Sequence, residues 1–327
     1  MKQITERGTK MIVERTTTEK TDKRKIAEYA VKAVALCMNE RAVKVKYLGG
    51  GSFGRAVRVR LGNGKDIVIK FLLANGMMEK EAHDLVLLRK NCPIKLPSVI
   101  FTRKSDSALP YDCYGMELIE GKSAFWAFGM LFLSKRRRLR FAEQVTDALH
   151  ALHECKADKF GDTMHPDCES WSDVYRPFAK QVLEKAEEYY ANGELSEKVI
   201  TAMRAAWAKF DVIFSEKVTD ACLIHGDLNI ANIMVGKGYE ITGFIDPLNS
   251  MYADREYDLF QFDNLTGKRF ALRETYVRKF GGSKRIMQKL AFYGLWNEVF
   301  CFIKSGVLVG LIMNPLVKNM RKRLAEL

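Results

Sequence analysis

The sequence predicts an α+β fold of two lobes, a small antiparallel sheet with one central helix followed by a larger, mainly helical part. Three observations predict it. Between Val43 and Phe71 apolar residues alternate with charged ones, the pattern of half-buried strands. Beyond Gly121 the apolar spacing becomes helical. The chain is 327 residues long, enough for two packed domains of roughly 100–200 residues each. The expected division is an N-terminal extension over 1–42, a sheet lobe over 43–117, a hinge at 118–121 and a helical lobe over 122–327.

Each element follows from local pattern. Asp22 to Arg41 reads as an amphipathic helix with Ile26, Tyr29, Ala30, Ala33, Val34 and Cys37 on one face and Thr21 or Asp22 as N-cap. Val43–Leu48 reads as a strand, and Val57, Val59 and Leu61 alternate with Arg58 and Arg60 in a second. Asn63-Gly64 is a hairpin signal, and Ile67, Ile69 and Phe71 alternate again. Met77 to Lys90 is the central helix, stopped before Pro93 and Pro97. Val99–Phe101 and Tyr114–Ile119 are strands. Phe141, Val145, Ala148, Leu149 and Leu152 form a helical stripe, with further helices over Asp173–Ala191 and Ser196–Phe214 and in the last ~60 residues. Two short apolar runs, Ala221–Ile224 and Gly243–Ile245, stand among them.

Composition narrows the function classes. The most apolar stretches, Ala124–Leu133 and Gly306–Met313, fall short of the about 20 residues that span a bilayer and read as buried helix segments. The polar N-terminus lacks the apolar core of a secretory signal. Seven scattered cysteines without a C-x-x-C pair argue against a zinc site or a disulfide framework and fit a reducing, cytoplasmic compartment. The formal net charge of +13 attracts anions, and Lys135-Arg136-Arg137-Arg138-Leu139-Arg140 is the densest basic run, read as a solvated helix face with docking of an acidic partner or a phosphate-bearing substrate as the rival. No aromatic residues interleave the basic runs, which disfavours nucleic acid as a partner.

The strongest motif is His225-Gly226-Asp227, four residues, Asn232, then Ile245-Asp246-Pro247. Phosphoryl transfer needs one carboxylate to position and deprotonate the attacking hydroxyl, and oxygen ligands for magnesium. Asp227 supplies the first as catalytic base, and Asn232 and Asp246 the second as metal ligands. Gly49-Gly50-Gly51-Ser52-Phe53-Gly54 contains G-x-G-x-x-G. A dinucleotide fold would open a helix there. An alternating strand follows instead, which fits a loop covering phosphates. Lys70 closes the apolar strand Ile67-Val68-Ile69 and reads as a contact to nucleotide phosphates, held by a carboxylate of the next helix, Glu81 or, second, Glu79.

These residues resemble the aminoglycoside phosphotransferase and fructosamine kinase superfamily, protein-kinase-like enzymes that phosphorylate small molecules. The likeness runs from about Val43 to Leu259. It implies that Met116-Glu117-Leu118-Ile119-Glu120-Gly121 is a hinge whose backbone at Glu117 and Ile119 holds adenine. It implies structural histidines in Leu149-His150-Ala151-Leu152-His153, and a brace for the catalytic loop in Asp258. Lys159-Phe160-Gly161, Trp171 and Phe178 resemble fructosamine kinases more narrowly, though a packed tryptophan also explains Trp171. The expected cofactors are ATP, with GTP left open, and magnesium. ATP would lie between the lobes under Gly49, Gly51, Ser52 and Gly54, oriented by Lys70. The expected partner is a small-molecule hydroxyl acceptor: an aminoglycoside, a sugar or a fructosamine-like compound. Glu184, Glu187, Glu188, Glu194 and Glu197 could attract a polycation, but Lys180, Lys185 and Lys198 interleave them as on a solvated surface. Protein kinase is the first alternative, set back by the short stretch from Asp246 to Asp254 and the lack of an A-P-E motif. A silent pseudokinase or docking module is the second. Oligomeric state is not legible.

Overall fold

The computed structural model describes residues 22–50, 53–73 and 76–327. The chain divides into two compact units: among the described residues, 22–144 with 227–248, and 145–226 with 249–327.

In the first unit, helix α1 (Lys23–Met38) starts where the Asp22 carboxylate accepts the Arg24 amide at 2.9 Å and ends at Asn39, whose φ of 52° is left-handed. Strands β1 (Ala42–Gly50), β2 (Gly54–Leu61) and β3 (Asp66–Leu72) form the expected antiparallel meander, with Val59 opposite both Val45 and Ile67. Helix α2 (Met77–Asn91), β4 (Val99–Arg103) and β5 (Cys113–Glu117) follow, and the sheet order is β1-β2-β3-β5-β4. Ile67, Ile69 and Phe71 enter one core with Val57, Val59, Leu61 and the α1 residues Ile26, Ala30, Ala33 and Val34. The helix is therefore part of the sheet's own core rather than an added cap, because its apolar stripe covers the alternating face of β2 and β3. Strand alternation sends Lys70 to the opposite face.

After β6 (Lys122–Ser123) comes a 3-10 turn, Phe128–Phe132, and then helix α3 (Lys135–His153). The expectation of a buried helix over Ala124–Leu133 fails. Ala124, Ala127, Met130 and Leu133 are buried, but Trp126, Phe128 and Phe132 are 75%, 71% and 73% exposed. Every third residue turns inward, the period of a 3-10 turn, so the bulky rings between them face solvent.

The second unit holds β7 (Lys156–Ala157), β8 (Phe160–Asp162), β9 (Pro166–Cys168), α4 (Trp171–Ala191), α5 (Glu197–Trp207), α6 (Phe210–Ile213) and β10 (Ala221–Leu223). The helix expected over Ser196–Phe214 is broken at Ala208–Lys209. The chain returns to the first unit for β11 (Ile233–Val235) and β12 (Ile241–Phe244), a hairpin that pairs with β6. It then completes the second with β13 (Met251–Ala253), a 3-10 helix Arg255–Asp263, α7 (Leu272–Phe280), α8 (Ile286–Ser305) and α9 (Gly310–Leu324). The short strands line up as β7-β10-β13-β8-β9. Rings of Trp171, Tyr175, Tyr257, Phe292, Tyr293 and Trp296 build the core. The Trp171 indole donates to Tyr293 Oη at 2.8 Å, so this residue is packed inside. The apolar stretch Gly306–Met313 also departs from the buried expectation: its first half is the α8–α9 turn, its second half opens α9, and Leu311 is 91% exposed. No described helix is long and apolar enough to cross a membrane.

Candidate active site

Lys70 faces α2 from the middle of the sheet. Its Nζ lies 2.8 Å from Glu81 Oε2 and 2.6 Å from Asp246 Oδ1. Of the two carboxylates weighed for it, Glu81 makes the contact, while Glu79 pairs with Lys104 at 2.9 Å. Tyr114, directly across from Lys70 in the β3–β5 register, donates its hydroxyl to Glu81 Oε2 at 3.0 Å. Sequence reasoning missed Tyr114; the strand register would have found it.

Burial by itself would lower the Lys70 ammonium, but the Asp246 and Glu81 charges outweigh it and hold its pKa well above the usual lysine value. Burial raises the Glu81 carboxyl, opposed by Lys70. The partners differ in access. Glu81 is buried, whereas the Asp246 side chain is 52% exposed. Asp246 also has a φ of 58°, a left-handed position unusual for a non-glycine residue.

The β11–β12 hairpin explains how positions far apart in the motif meet. Ile233 pairs with Phe244, and the Ile245 amide donates to the Asn232 carbonyl at 3.0 Å. Asn232 and Asp246 thus flank one end of a two-stranded ladder. Upstream, the side-chain Nδ2 of Asn232 donates to the Asp227 carbonyl at 2.7 Å and to Asp227 Oδ2 at 3.1 Å, and Asn229 Nδ2 donates to Asp227 Oδ1 at 2.9 Å. Asn229 is a second residue the motif reading passed over. Both oxygens of Asp227 are therefore oriented by neighbours in its own loop.

The entry to this loop is fixed within the second unit. Asp258, fully buried, accepts the amides of His225 at 2.9 Å and Gly226 at 2.7 Å. Its Oδ2 lies 3.1 Å from His153 Nε2, and His153 Nδ1 lies 2.6 Å from Tyr276 Oη. The Ser250 hydroxyl donates to the His225 carbonyl at 2.9 Å.

In the glycine-rich segment, Gly51 and Ser52 lie outside the described residues. Gly49 has a φ of 140°. A Cβ on Gly54 would come 3.0 Å from Lys70 Cε, so any side chain there would crowd the amine. At the expected hinge, the Glu117 amide donates to the Ser98 carbonyl at 2.9 Å, and its carboxylate gathers Lys95, Arg89 and Ser98. Burial would raise that carboxyl, but these donors leave it below its ordinary value. Ile119 is buried, its side chain against the Cβ position of Gly243.

Among the described residues no cluster of three or more His, Cys, Asp and Glu could hold a metal unaided. The site offers one half-exposed carboxylate, Asp246, and the Oδ1 of Asn232, hard oxygen donors that suit magnesium when phosphates and water complete the shell. The acidic residues Glu184, Glu187 and Glu188 are already paired on the surface with Lys180, Arg204 and Lys185.

A two-unit α+β chain with this lysine–carboxylate pair and this loop has the architecture of the protein-kinase-like phosphotransferases. The phosphotransferase enzyme family matches residues 44–293, so the chain belongs to that family. No curated protein matches the chain. Among solved structures, a candidate fructosamine-3-kinase from Thermobifida fusca YX-ER1 is similar at TM-score 0.64 and 18% identity, covering 90% of this chain and 98% of that one. The GDP complex of aminoglycoside 2'-phosphotransferase-IIIa is similar at TM-score 0.62 and 16% identity, covering 91% and 98%. A thermostable mutant of aminoglycoside phosphotransferase APH(4)-Ia, in ternary complex with ADP and hygromycin B, is similar at TM-score 0.64 and 14% identity, covering 92% and 98%. The fold class expected from the sequence is thereby established.

Proposed function

We propose that the protein transfers the γ-phosphoryl group of ATP to a hydroxyl of a small molecule, with Asp227 as catalytic base. The observation that carries this reading is Lys70 held between Glu81 and Asp246, 2.8 and 2.6 Å away. A buried cation locked by a helix carboxylate and facing an exposed aspartate can orient the nucleotide phosphates. Gly49 and Gly54, with Gly51 and Ser52 of the same loop, cover those phosphates, and backbone at Glu117 and Ile119 meets the adenine. Since the Glu117 amide is engaged by Ser98, its carbonyl is the group left for that contact. Asn232 and Asp246 hold magnesium, which supplies charge neutralisation on the phosphates when bound.

Asp227 accepts the proton of the acceptor hydroxyl. Asn229 and Asn232 fix its carboxylate plane, and Asp258 fixes the backbone just before it. Most of the rate comes from positioning and charge stabilisation. The formal charge of +13 and the paired state of Glu184, Glu187 and Glu188 favour a neutral or anionic acceptor, such as a sugar or glycated amine, over a polycation. Free thiols at all seven cysteines suit a reducing cytoplasm.

The test is magnesium-dependent ADP release with ATP or GTP across a panel of hydroxyl compounds. At least one acceptor should stimulate turnover. Asp227→Ala should lower it by about 10²–10⁴-fold with nucleotide affinity retained. Equal loss of turnover and affinity would make Asp227 a structural residue.

A further inference from the structure

We propose that the aromatic turn after β6 and the basic start of α3 form one docking face for an anionic lipid bilayer surface. The face lies wholly in the first unit. Trp126, Phe128 and Phe132 are each more than 70% exposed, while the small or flexible residues of the same turn are buried. Phe128 and Phe132 meet edge to face at 5.1 Å, and Trp126 meets Phe125 likewise at 4.7 Å. Neighbouring exposed rings of this size keep ordered water against apolar surface, and such patches mark interaction sites.

Three residues beyond Phe132 the basic run begins, within about 11 Å of chain. Lys135, Arg136 and Arg140 are exposed and Arg138 half-exposed, and no described carboxylate pairs with any of the four. Arg137 is engaged, donating to the Gly238 carbonyl. From Gly121 to Ala142 the sequence has six basic residues and no acidic one. Lys135, Arg136 and Arg138 occupy the first turn of α3, where the helix dipole is positive and no acid offsets it, and Arg140 follows in the second. Stability of the isolated chain favours neither the outward rings nor the cations at that end. An external anionic partner with an apolar layer beneath it favours both.

The arrangement decides which partner. A single-strand nucleic-acid platform alternates ring faces with phosphate-binding cations. Here the rings are grouped at one end and pack edge to face, and the cations are grouped at the other. That segregation suits a leaflet, with Trp and Phe entering the acyl boundary and Lys and Arg staying among anionic headgroups. The contact proposed is a peripheral one, made by the turn and the first turns of α3.

Co-sedimentation of the full chain with phosphatidylcholine vesicles, with and without phosphatidylglycerol, tests this. Binding should need the anionic lipid and weaken as salt rises. Trp126→Ser/Phe128→Ser/Phe132→Ser, and separately Arg136→Gln/Arg138→Gln/Arg140→Gln, should each lower partitioning about tenfold or more. Thermal melting should show both variants folded, since every changed side chain lies at least partly open to solvent. Trp126→Phe should keep binding but lose most quenching of tryptophan emission by brominated lipid, because Trp171 and Trp296 are buried and Trp207, half-buried on α5, lies outside the proposed face. Equal binding to neutral vesicles overturns the proposal. So does binding that survives the triple serine variant, which would move the anchor elsewhere, for instance to the exposed Val307 of the α8–α9 turn and Leu311 at the start of α9. A dimer in sedimentation that the serine variant abolishes would make a second copy the occupant. Tighter binding to single-stranded oligonucleotides than to vesicles would make it nucleic acid. Shielding of Trp126 from acrylamide that ends on removal of residues 1–21 would make it the chain's own N-terminal segment.

Discussion

Each unit buries a lysine between two carboxylates, and the two clusters differ in one respect. In the second unit Lys289 Nζ lies 2.6 Å from Asp254 Oδ2 and 2.7 Å from Glu256 Oε2, and all three are buried. The carboxylates are saturated: Tyr293 donates to Asp254 at 2.9 Å, and Ser283 donates to Glu256 from its hydroxyl at 2.8 Å. In the first unit Lys70 has the same two-carboxylate shell, but Asp246 is half exposed and sits on strained backbone. A closed cluster can only hold structure together. An open one can exchange a partner for a ligand, and the exposed carboxylate marks where.

Removing each lysine breaks that comparison most directly. Lys289→Met strands two buried carboxylates, and urea unfolding should show a loss of about 3–5 kcal/mol. Catalysis should persist, within a few-fold, at temperatures where the variant remains folded. Lys70→Met should do the reverse. Its stability cost should be about 1–3 kcal/mol, since Asp246 can turn to water and Glu81 can take up a proton. Its phosphotransfer should fall by at least about 10²-fold. The sign with pH is set by Glu81: burial raises its carboxyl above the unfolded value, so the folded variant binds the extra proton and gains stability as pH falls. If Lys289→Met lost activity while fully folded, the division into a structural and a reactive cluster would be wrong.

The Lys70 cluster was legible in the sequence, and the Lys289 cluster was not. Lys70 stands out because a cation closes an apolar strand, and Asp227, Asn232 and Asp246 because their spacing is local to one loop and hairpin. Lys289 carries no such mark: on α8 it is one of several polar residues in a largely apolar helix, and it meets Asp254 and Glu256 only through tertiary packing. The strands of the first sheet are long enough for alternation to show. Strands β7, β8, β9 and β13 have two or three residues each, too few for an alternation to repeat. Helix α1 was legible as a helix but not as core, because its amphipathic face does not say what covers it. The outward rings of the turn after β6 were missed for a related reason, since an apolar run has no period that distinguishes burial from display.

Two smaller perturbations sharpen the contrast. Trp171→Phe removes the donor to Tyr293 and loosens the chain of bonds that leads to Asp254 and Lys289. It should cost about 1–2 kcal/mol in the same unfolding assay and leave the kinetic constants unchanged.

The smallest effect belongs to a surface cluster with inverted stoichiometry, Asp66 between Arg58 at 2.5 Å and Arg60 at 2.6 Å. Hydrogen bonds from Arg60 and then Arg58 hold its carboxyl well below the usual carboxylate range. An acid depressed on folding stabilises above its unfolded pKa, and that contribution is lost as pH falls through the folded value. Asp66→Asn should therefore lower the urea midpoint slightly and by a constant amount from about pH 8 to pH 5, with the difference shrinking below about pH 4. Because both arginines are nearly half exposed to water, screening should erase much of the difference at high salt. Lys289→Met should be much less sensitive to salt, since its carboxylates are buried.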